Sequence, residues 1–281
     1  MSKYKLTYQT TNSYENIVKE ALFALKVIPI SNEQQQLLSY SAKNNLCEDF
    51  YLQPNLFGFN QLMLRIAKRF DQLDVTVVCH VEVAPINPYQ SLDVAVEEEK
   101  DLIHSLDFKI DHHTFLDMTP STFIDLASLP KDLVKSHDQT CESYLKDLNA
   151  YIYTQFQFND DVNSFSNTPQ DTFQQKNGVC QDFAQVFIAS CRANGIPARY
   201  VSGYLNQGAG YVGSAMMHAW VEAFIPGKGW QGYDPTNNLL RDSNYVKVCH
   251  GVDYDDCAPI KGILNTHGEN QTAYKVEVVQ Q

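Results

Sequence analysis

The sequence predicts an α+β protein, in which an N-terminal antiparallel β-sandwich is followed by helices packed on a second antiparallel sheet. The first hundred residues contain short runs that alternate apolar and polar positions or are rich in β-branched residues. From about residue 138 the apolar positions recur at helical spacing instead. Strand-like runs return after residue 197, so the predicted order is strands, helices and strands again.

The N-terminal part is predicted to consist of strands joined by polar turns. The runs are LTYQT (6–10), EALFALKVIP (20–29), QLMLRIAKRF (61–70) and LDVTVVCHVEV (73–83). LFGFNQ, around Gly58, lies between two of them and is typical of a turn. The acidic run AVEEEKD (95–101) is typical of a solvated linker. We therefore expect a β-rich domain over residues 1–105 and a second domain over residues 106–281.

The composition excludes several classes of protein. The 281 residues carry a formal net charge of -12, which disfavours both nucleic-acid binding and docking on anionic membranes. The sequence shows no apolar run of membrane-spanning length, and its first residues do not have the pattern of a secretory signal. The seven cysteines are odd in number and irregularly spaced, which favours reduced thiols. These features predict a cytoplasmic protein.

One cysteine stands at the predicted start of a helix. In NGVCQDFAQVFIASCRANGIPARY (177–200), the apolar positions after Cys180 follow helical spacing. Gly195 comes where a left-handed residue commonly ends a helix, and Pro197 prevents continuation. Free N–H groups at a helix N-terminus stabilise an anion, which favours the thiolate form of a cysteine there. Position alone leaves both a reactive and a structural role open for Cys180.

A second cysteine of the same helix is expected to be inert. Cys191 belongs to the apolar stripe near the C-terminal end of the predicted helix. The helix dipole disfavours an anion at that end. We therefore expect Cys191 to be a buried core residue.

Partners for a reactive Cys180 are predicted on a hairpin. HAWVEAFI (218–225) and GWQGYD (229–234) flank the turn PGKG (226–229), which pairs residues whose numbers sum to about 455. His218 begins the first strand, and Asp234 ends the second and precedes Pro235. The register places Asp234 across from residues 217–221, within reach of the imidazole. A carboxylate there would hold the imidazole as the orienting member of a nucleophile–base–orienter triad.

Three segments together resemble a known family. They are GVCQDFAQVFIASCRANGIPARYVSGYL, HAWVEAFIPGKGWQGYDPTNN and HGVDYDDCAPIKGIL. From about Tyr151 to Gln281 the chain resembles the transglutaminase-like core of bacterial proteins, which are thiol enzymes of the transglutaminase and papain-like class. At YKLTYQTTNSY, LFGFNQ and FLDMTPSTF the N-terminal part resembles the β-rich domain that precedes this core in many bacterial members. Val252 departs from the pattern, because many relatives carry an arginine there.

The resemblance implies a papain-like catalytic domain over residues 106–281. It implies Cys180 as nucleophile, His218 as general base and acid, and Asp234 as the orienting carboxylate. The implied reaction is acyl transfer on amide bonds through a thioester, without a cofactor. We interpret the protein as a cysteine protease or amidohydrolase acting on a peptide or protein amide. A protein-glutamine transamidase is the alternative within the same chemistry.

The oxyanion of such a reaction needs two hydrogen-bond donors. The backbone N–H of Cys180 is the expected first donor. The side-chain amide of Gln174 or Gln175, a few residues upstream, is the candidate for the second.

Two other kinds of site compete with the triad. Cys249, His250, Cys257 and His267 lie near one another in sequence, but closed zinc sites usually have tighter cysteine spacing. We expect no metal there. A non-catalytic peptide-binding module is the other alternative, since a fold does not determine function. The presence of all three triad residue types favours the enzyme.

Overall fold

The computed structural model describes residues 1–89, 96–125, 127, 129–159, 168–206 and 216–281. Within them the strands are β1 (Ser2–Val18), β2 (Ala21–Leu25), β3 (Gln35–Asn44), β4 (Phe50–Pro54), β5 (Asn60–Ile66), β6 (Phe70–Val83), β7 (Gln157–Phe158), β8 (Asn177–Gly178), β9 (Ala198–Leu205), β10 (His218–Ile225), β11 (Gly229–Asp234), β12 (Leu239–Leu240), β13 (Tyr245–Gly251), β14 (Ile260–Leu264) and β15 (Asn270–Gln280). The α-helices are α1 (Val96–His104), α2 (Leu106–Leu116), α3 (Cys141–Gln155), α4 (Pro169–Gln175), α5 (Cys180–Ala193) and α6 (Tyr254–Cys257). A 3₁₀ helix spans Lys131–Leu133. The α+β class predicted from the sequence is confirmed.

Two antiparallel four-stranded sheets form the sandwich. Their strand orders are β15-β1-β6-β3 and β14-β2-β5-β4. Alternate residues of β1 and β6, such as Leu6 and Val77, point inward and share one hydrophobic core with Phe23 of β2 and Leu64 of β5. The outer strands β14 and β15 come from the C-terminal end of the chain. Both ends of the chain therefore build the sandwich, while the predicted domain boundary at residue 105 stays a prediction.

The composition of the acidic run at residues 95–101 predicts a solvated linker, but residues 96–101 of this run are helical. Val96–His104 is the helix α1, and Glu99 is buried within it at 2% exposure. The backbone N–H of Cys141, at the start of α3, donates to Glu99 Oε1 at 2.5 Å. A carboxylate at a helix N-terminus is stabilised by the free N–H groups there, which explains how an acidic residue of this run comes to be buried.

The second sheet carries the candidate site. Its strand order is β12-β11-β10-β9-β13, and all its pairs are antiparallel. One face of β10, with Ala219, Val221 and Ala223, joins the core that includes α5. The opposite face carries Trp220 in a smaller buried cluster with Val201, Leu205 and Tyr245. β10 is therefore buried on both faces, and the face of Trp220 also carries the buried polar side chains of His218 and Glu222.

The predicted hairpin of β10 and β11 is present. Val221 pairs with Tyr233 and Ile225 with Gly229, which differs by one residue from the predicted register. Gly227 and Gly229 in the turn have φ angles of 79° and 76°, a region that glycine enters without a steric cost. Extending this register brings the end of β11 beside the start of β10.

Hydrogen bonds tie the sandwich to the second sheet. The side chain of Gln35, at the start of β3, donates from Nε2 to the carbonyl of Lys247 at 2.7 Å. The same amide accepts the backbone N–H of Lys247 at Oε1 over 2.8 Å. The Tyr204 hydroxyl donates to the carbonyl of Val27 at 2.6 Å, and the Tyr4 hydroxyl to that of Ser243 at 3.0 Å. The positions of β9 and β13 therefore depend on contacts with the N-terminal part.

Within this sheet, the buried carboxylate of Glu222 forms ion pairs with Arg199 and Lys247. Glu222 Oε2 accepts from Nε and Nη2 of Arg199 at 2.7 Å each and from Nζ of Lys247 at 2.5 Å. Burial disfavours the charged carboxylate, but the two cations outweigh it and lower the pKa of Glu222. Burial, only partly opposed by Glu222, lowers the pKa of Lys247 to about 8. The guanidinium of Arg199 also lies over the ring of Trp230, 4.0 Å from its centroid.

We expect Glu222→Gln to destabilise the fold by about 3–5 kcal/mol, because it leaves two buried cations without their anion. The free energy of unfolding is measured by urea denaturation at pH 7. The matched control is Glu97→Gln, which removes an exposed carboxylate 3.6 Å from Lys100 and is expected to change stability little. Equal effects of the two substitutions would contradict the structural role of Glu222.

Candidate active site

Cys180 lies at the N-terminus of α5. It is the first residue of the helix, and Val179 precedes it as the extended cap residue. Its backbone N–H therefore belongs to the first turn, where no carbonyl of the same helix accepts it. The residue is 7% exposed. A thiolate at this place is favoured by the positive end of the helix dipole.

The turn into α5 requires a glycine. The Asp182 carboxylate reaches back and accepts the backbone N–H of Val179 at 2.9 Å, which caps the helix. A Cβ atom on Gly178 would lie 2.6 Å from Asp182 Oδ2 and 2.8 Å from its Cβ. Burial raises the pKa of Asp182 to about 6, and the Val179 bond opposes that rise. Gly178 thus allows the close approach that orients the first turn around Cys180.

His218 and Asp234 meet as the hairpin predicts. The Nε2 atom of His218 lies 2.8 Å from Oδ2 of Asp234, and both side chains are buried. Burial disfavours the imidazolium, but the charge and hydrogen bond of Asp234 outweigh it and raise the pKa of His218 to about 10. Burial likewise disfavours the carboxylate, but His218 outweighs it and lowers the pKa of Asp234. The imidazole is therefore held in its protonated form at neutral pH.

The Cys180 thiol adjoins the imidazole. Its proximity adds to the raised pKa of His218, after the larger effect of Asp234. Because Nε2 is bonded to Asp234, Nδ1 is the ring nitrogen left for the thiol. Nδ1 is buried and has no hydrogen-bond partner at ordinary distance among the described residues. The structure thus brings the three predicted residues together. The thiol lies near the ring but makes no hydrogen bond with Nδ1.

Asp234 has further partners that the sequence analysis missed. Its Oδ1 accepts the backbone N–H groups of Thr236 at 3.0 Å and Asn237 at 3.2 Å. Its Oδ2 accepts Nδ2 of Asn237 at 2.9 Å and the hydroxyl of Tyr245 at 2.7 Å, besides the imidazole. The backbone contacts are those of an Asx turn, which an Asp-Pro-Thr-Asn sequence could have indicated. No local pattern points to Tyr245, which comes from another strand.

Two tyrosines stand beside the thiol. Tyr200 of β9 and Tyr254 of α6 interact electrostatically with Cys180, and their rings meet edge to face at 6.0 Å. Burial raises the pKa of Tyr254 to about 12, and it also raises the pKa of Tyr200 well above its usual range. The GVDYDDC segment therefore lies near the thiol.

The backbone of Val252 anchors this segment, at the position where many relatives carry an arginine. Nη2 of Arg192 donates to the carbonyl of Val252 at 2.6 Å, and the N–H of Val252 donates to Asp256 Oδ2 at 2.8 Å. Both bonds use the backbone of Val252. The side chain at this position is not needed for them.

Three other residues singled out in the sequence belong to α4 and α5. Gln174 and Gln175 are exposed in the last turn of α4, and their role as oxyanion donors stays a prediction. Cys191 is fully buried, and burial raises the pKa of its thiol well above the ordinary value. All seven cysteines are free thiols. The described part of the chain contains no group of three or more His, Cys, Asp or Glu residues that could hold a metal ion.

In this fold, a helix begins at a cysteine and packs on an antiparallel sheet that carries a histidine and an aspartate. Residues 128–235 match the model of the transglutaminase-like superfamily. The matched residues include Cys180, His218 and Asp234.

Several known proteins are similar to this chain. A structure described as "a Putative Cysteine Protease from Cytophaga hutchinsonii" has a TM-score of 0.79 and 22% identity, over 99% of this chain and 90% of the other. That likeness concerns the fold. An uncharacterized protein of Mycobacterium tuberculosis is 28% identical over 95% of this chain and 89% of its own length. A protein-glutamine gamma-glutamyltransferase of Pseudomonas aeruginosa is 41% identical over 70 residues, which are 23% of this chain and 10% of that protein.

Among the described residues, no helix is both long and apolar enough to cross a membrane.

Proposed function

We propose that the protein is a thiol-dependent acyl-transfer enzyme that hydrolyses amide bonds of peptides or proteins. One observation carries the proposal: Cys180 heads a helix beside an imidazole whose far nitrogen is bonded to a buried carboxylate. The raised pKa of His218 keeps the imidazolium at neutral pH, and an imidazolium favours a neighbouring thiolate.

The first half-reaction forms a thioester. The Cys180 thiolate attacks the amide carbonyl carbon, a C–S bond forms, and the carbonyl oxygen becomes an oxyanion. The backbone N–H of Cys180 is the first donor to that oxyanion. His218 then gives its Nδ1 proton to the amide nitrogen, the C–N bond breaks, and an amine leaves.

The second half-reaction returns the enzyme to its starting state. Neutral His218 takes a proton from water, and the oxygen of that water attacks the thioester carbonyl. The C–S bond breaks, so that a carboxylic acid and the Cys180 thiolate are released while His218 is an imidazolium again. Asp234 keeps the ring oriented and stabilises its charge in both halves.

Transamidation is the second candidate function. The short but 41% identical segment shared with a protein-glutamine gamma-glutamyltransferase supports it. The two functions differ only in whether water or a primary amine attacks the thioester. An assay of a glutamine-containing peptide with and without a fluorescent primary amine separates them. Hydrolysis yields a cleaved peptide or converts the glutamine to glutamate, whereas transamidation yields a labelled peptide.

Alkylation tests the activated thiol without a known substrate. We expect iodoacetamide at pH 7 to modify the 7%-exposed Cys180 faster than the exposed Cys47, although access favours Cys47. Rates at all seven cysteines are measured by peptide mass spectrometry. His218→Ala should slow the reaction at Cys180 by about 10-fold or more and leave Cys47 unchanged, because a charged neighbour is lost. Faster modification of Cys47, or no effect of His218→Ala, would count against the proposed function.

A further inference from the structure

We infer that Tyr245 is a positioning residue of this site, whose hydroxyl holds the Asp234 carboxylate in the orientation that His218 requires. The inference rests on the proposed function for its catalytic consequence, but the hydrogen-bond role can be tested on the inactive protein as well. The hydroxyl lies 2.7 Å from Asp234 Oδ2, which is the same oxygen that His218 Nε2 approaches at 2.8 Å.

Both oxygens of the Asp234 carboxylate accept hydrogen bonds from groups of the protein. Oδ2 receives donors from His218, Asn237 and Tyr245, while Oδ1 receives two backbone N–H groups. Asp234 is fully buried, so these protein donors take the place of the solvent that would surround an exposed carboxylate. Hydrogen bonds to an ionised carboxylate are stronger than those between neutral groups, and they favour the ionised form. Removing the hydroxyl therefore both loosens the carboxylate and raises its pKa.

The tyrosine itself is held firmly. Tyr245 is fully buried, and its ring packs edge to face on Trp220 with centroids 5.3 Å apart. Trp220 in turn is nearly parallel to the imidazole of His218, with centroids 6.4 Å apart and an interplanar angle of 27°. A phenylalanine at residue 245 keeps this ring packing. The substitution Tyr245→Phe thus removes the hydroxyl alone.

The strand that carries Tyr245 is anchored to the sandwich. Tyr245 begins β13, and two residues later Lys247 exchanges two backbone hydrogen bonds with the side chain of Gln35. Just before it, the carbonyl of Ser243 accepts the Tyr4 hydroxyl. The N-terminal sandwich therefore sets the position of the hydroxyl, and through it the position of the carboxylate.

The catalytic test compares Tyr245→Phe with Tyr204→Phe. Tyr204 also loses a buried hydrogen bond, of 2.6 Å to the Val27 carbonyl, but this bond does not involve Asp234. We expect Tyr245→Phe to lower kcat by about 10-fold with little change in KM, since a bond to a charged group is lost. We expect the acid-side loss of activity to move to higher pH, because protonation of Asp234 becomes easier. Tyr204→Phe should leave the pH profile unmoved.

A second measurement keeps the role of Tyr245 separate from the proposed function. In the Cys180→Ala protein, the ¹⁵N chemical shifts of the His218 ring report the protonation of the His218–Asp234 pair by NMR. Adding Tyr245→Phe should raise the pH at which the pair takes up its acid-side proton, whereas adding Tyr204→Phe should not. An unmoved NMR titration overturns the inference. A shifted titration in a protein without amide turnover upholds the role of Tyr245 and contradicts only the enzyme proposal.

Discussion

Replacing Cys180 with alanine is expected to lower kcat for amide turnover by about 10⁴-fold or more, because no other group at the helix terminus can form the thioester. Single-turnover mass spectrometry of the wild-type protein with an activated ester should show an acyl adduct on Cys180. The variant should show none. The helix itself is expected to remain, because its cap is the bond between Asp182 and the Val179 N–H.

Cys191→Ala is the matched control for this experiment. It makes the same chemical change in the same helix, but at a fully buried residue near the C-terminal end. We expect it to lower stability slightly through the lost packing and to leave turnover and acylation intact. Turnover that survives in Cys180→Ala, or an acyl adduct on another cysteine, would show that the nucleophile lies elsewhere.

Replacing Asp234 with asparagine is expected to lower kcat by about 10⁴-fold at neutral pH, the loss known for a serine triad whose carboxylate becomes an amide. In the wild type, Asp234 outweighs burial and holds the pKa of His218 at about 10. The variant loses that charge while burial remains, so the pKa of His218 should fall below its ordinary value of about 6.5. The imidazolium then disappears at neutral pH, and the thiolate loses its partner.

The pH dependence of alkylation at Cys180 tests whether the pKa of His218 falls in Asp234→Asn. In the wild type the imidazolium persists at neutral pH and favours the neighbouring thiolate, so alkylation of Cys180 should already be fast at pH 7. In Asp234→Asn, which lacks the imidazolium at neutral pH, alkylation of Cys180 should be slow at pH 7 and should rise only in alkaline solution, where an ordinary thiol ionises. Asp74→Asn, a carboxylate of the sandwich that accepts the Thr11 hydroxyl, serves as the control for lost charge and should not shift the profile. An unshifted profile in Asp234→Asn would refute the role assigned to the carboxylate.

The stability of the fold should depend on pH through the same two groups, His218 and Asp234. His218 has a folded pKa above its unfolded value, so its contribution is complete below about pH 6.5 and is lost as the pH rises through about 10. Asp234 has a lowered folded pKa, so its contribution is present above its unfolded value of about 3.9 and is lost only in stronger acid. The pair therefore stabilises the fold across the neutral range, where the proposed reaction needs it.

The local elements of the site could be predicted from the sequence because their signals are local. The helix beginning at Cys180 follows from the apolar spacing, and its end follows from Gly195, whose φ of 73° is the left-handed conformation expected there. The hairpin follows from the PGKG turn, to within one residue of register. These two elements already place His218 beside Asp234.

The acidic run that forms the first part of α1 shows where local signals fail. Its composition is typical of a solvated linker, yet Glu99 is buried against the first turn of α3. The partner of that carboxylate is an N–H group 42 residues further along the chain. A pattern within a few residues carries no information about such a partner.

The sequence by itself determined the α+β class, the helix that begins at Cys180 and the pairing of His218 with Asp234, since turn chemistry and periodicity act over a few residues. Only the tertiary structure decided that β14 and β15 complete the sandwich and that the Tyr245 hydroxyl reaches Asp234. Those contacts join strands distant in sequence, and they depend on how whole sheets pack to bury their apolar faces and satisfy their buried polar groups.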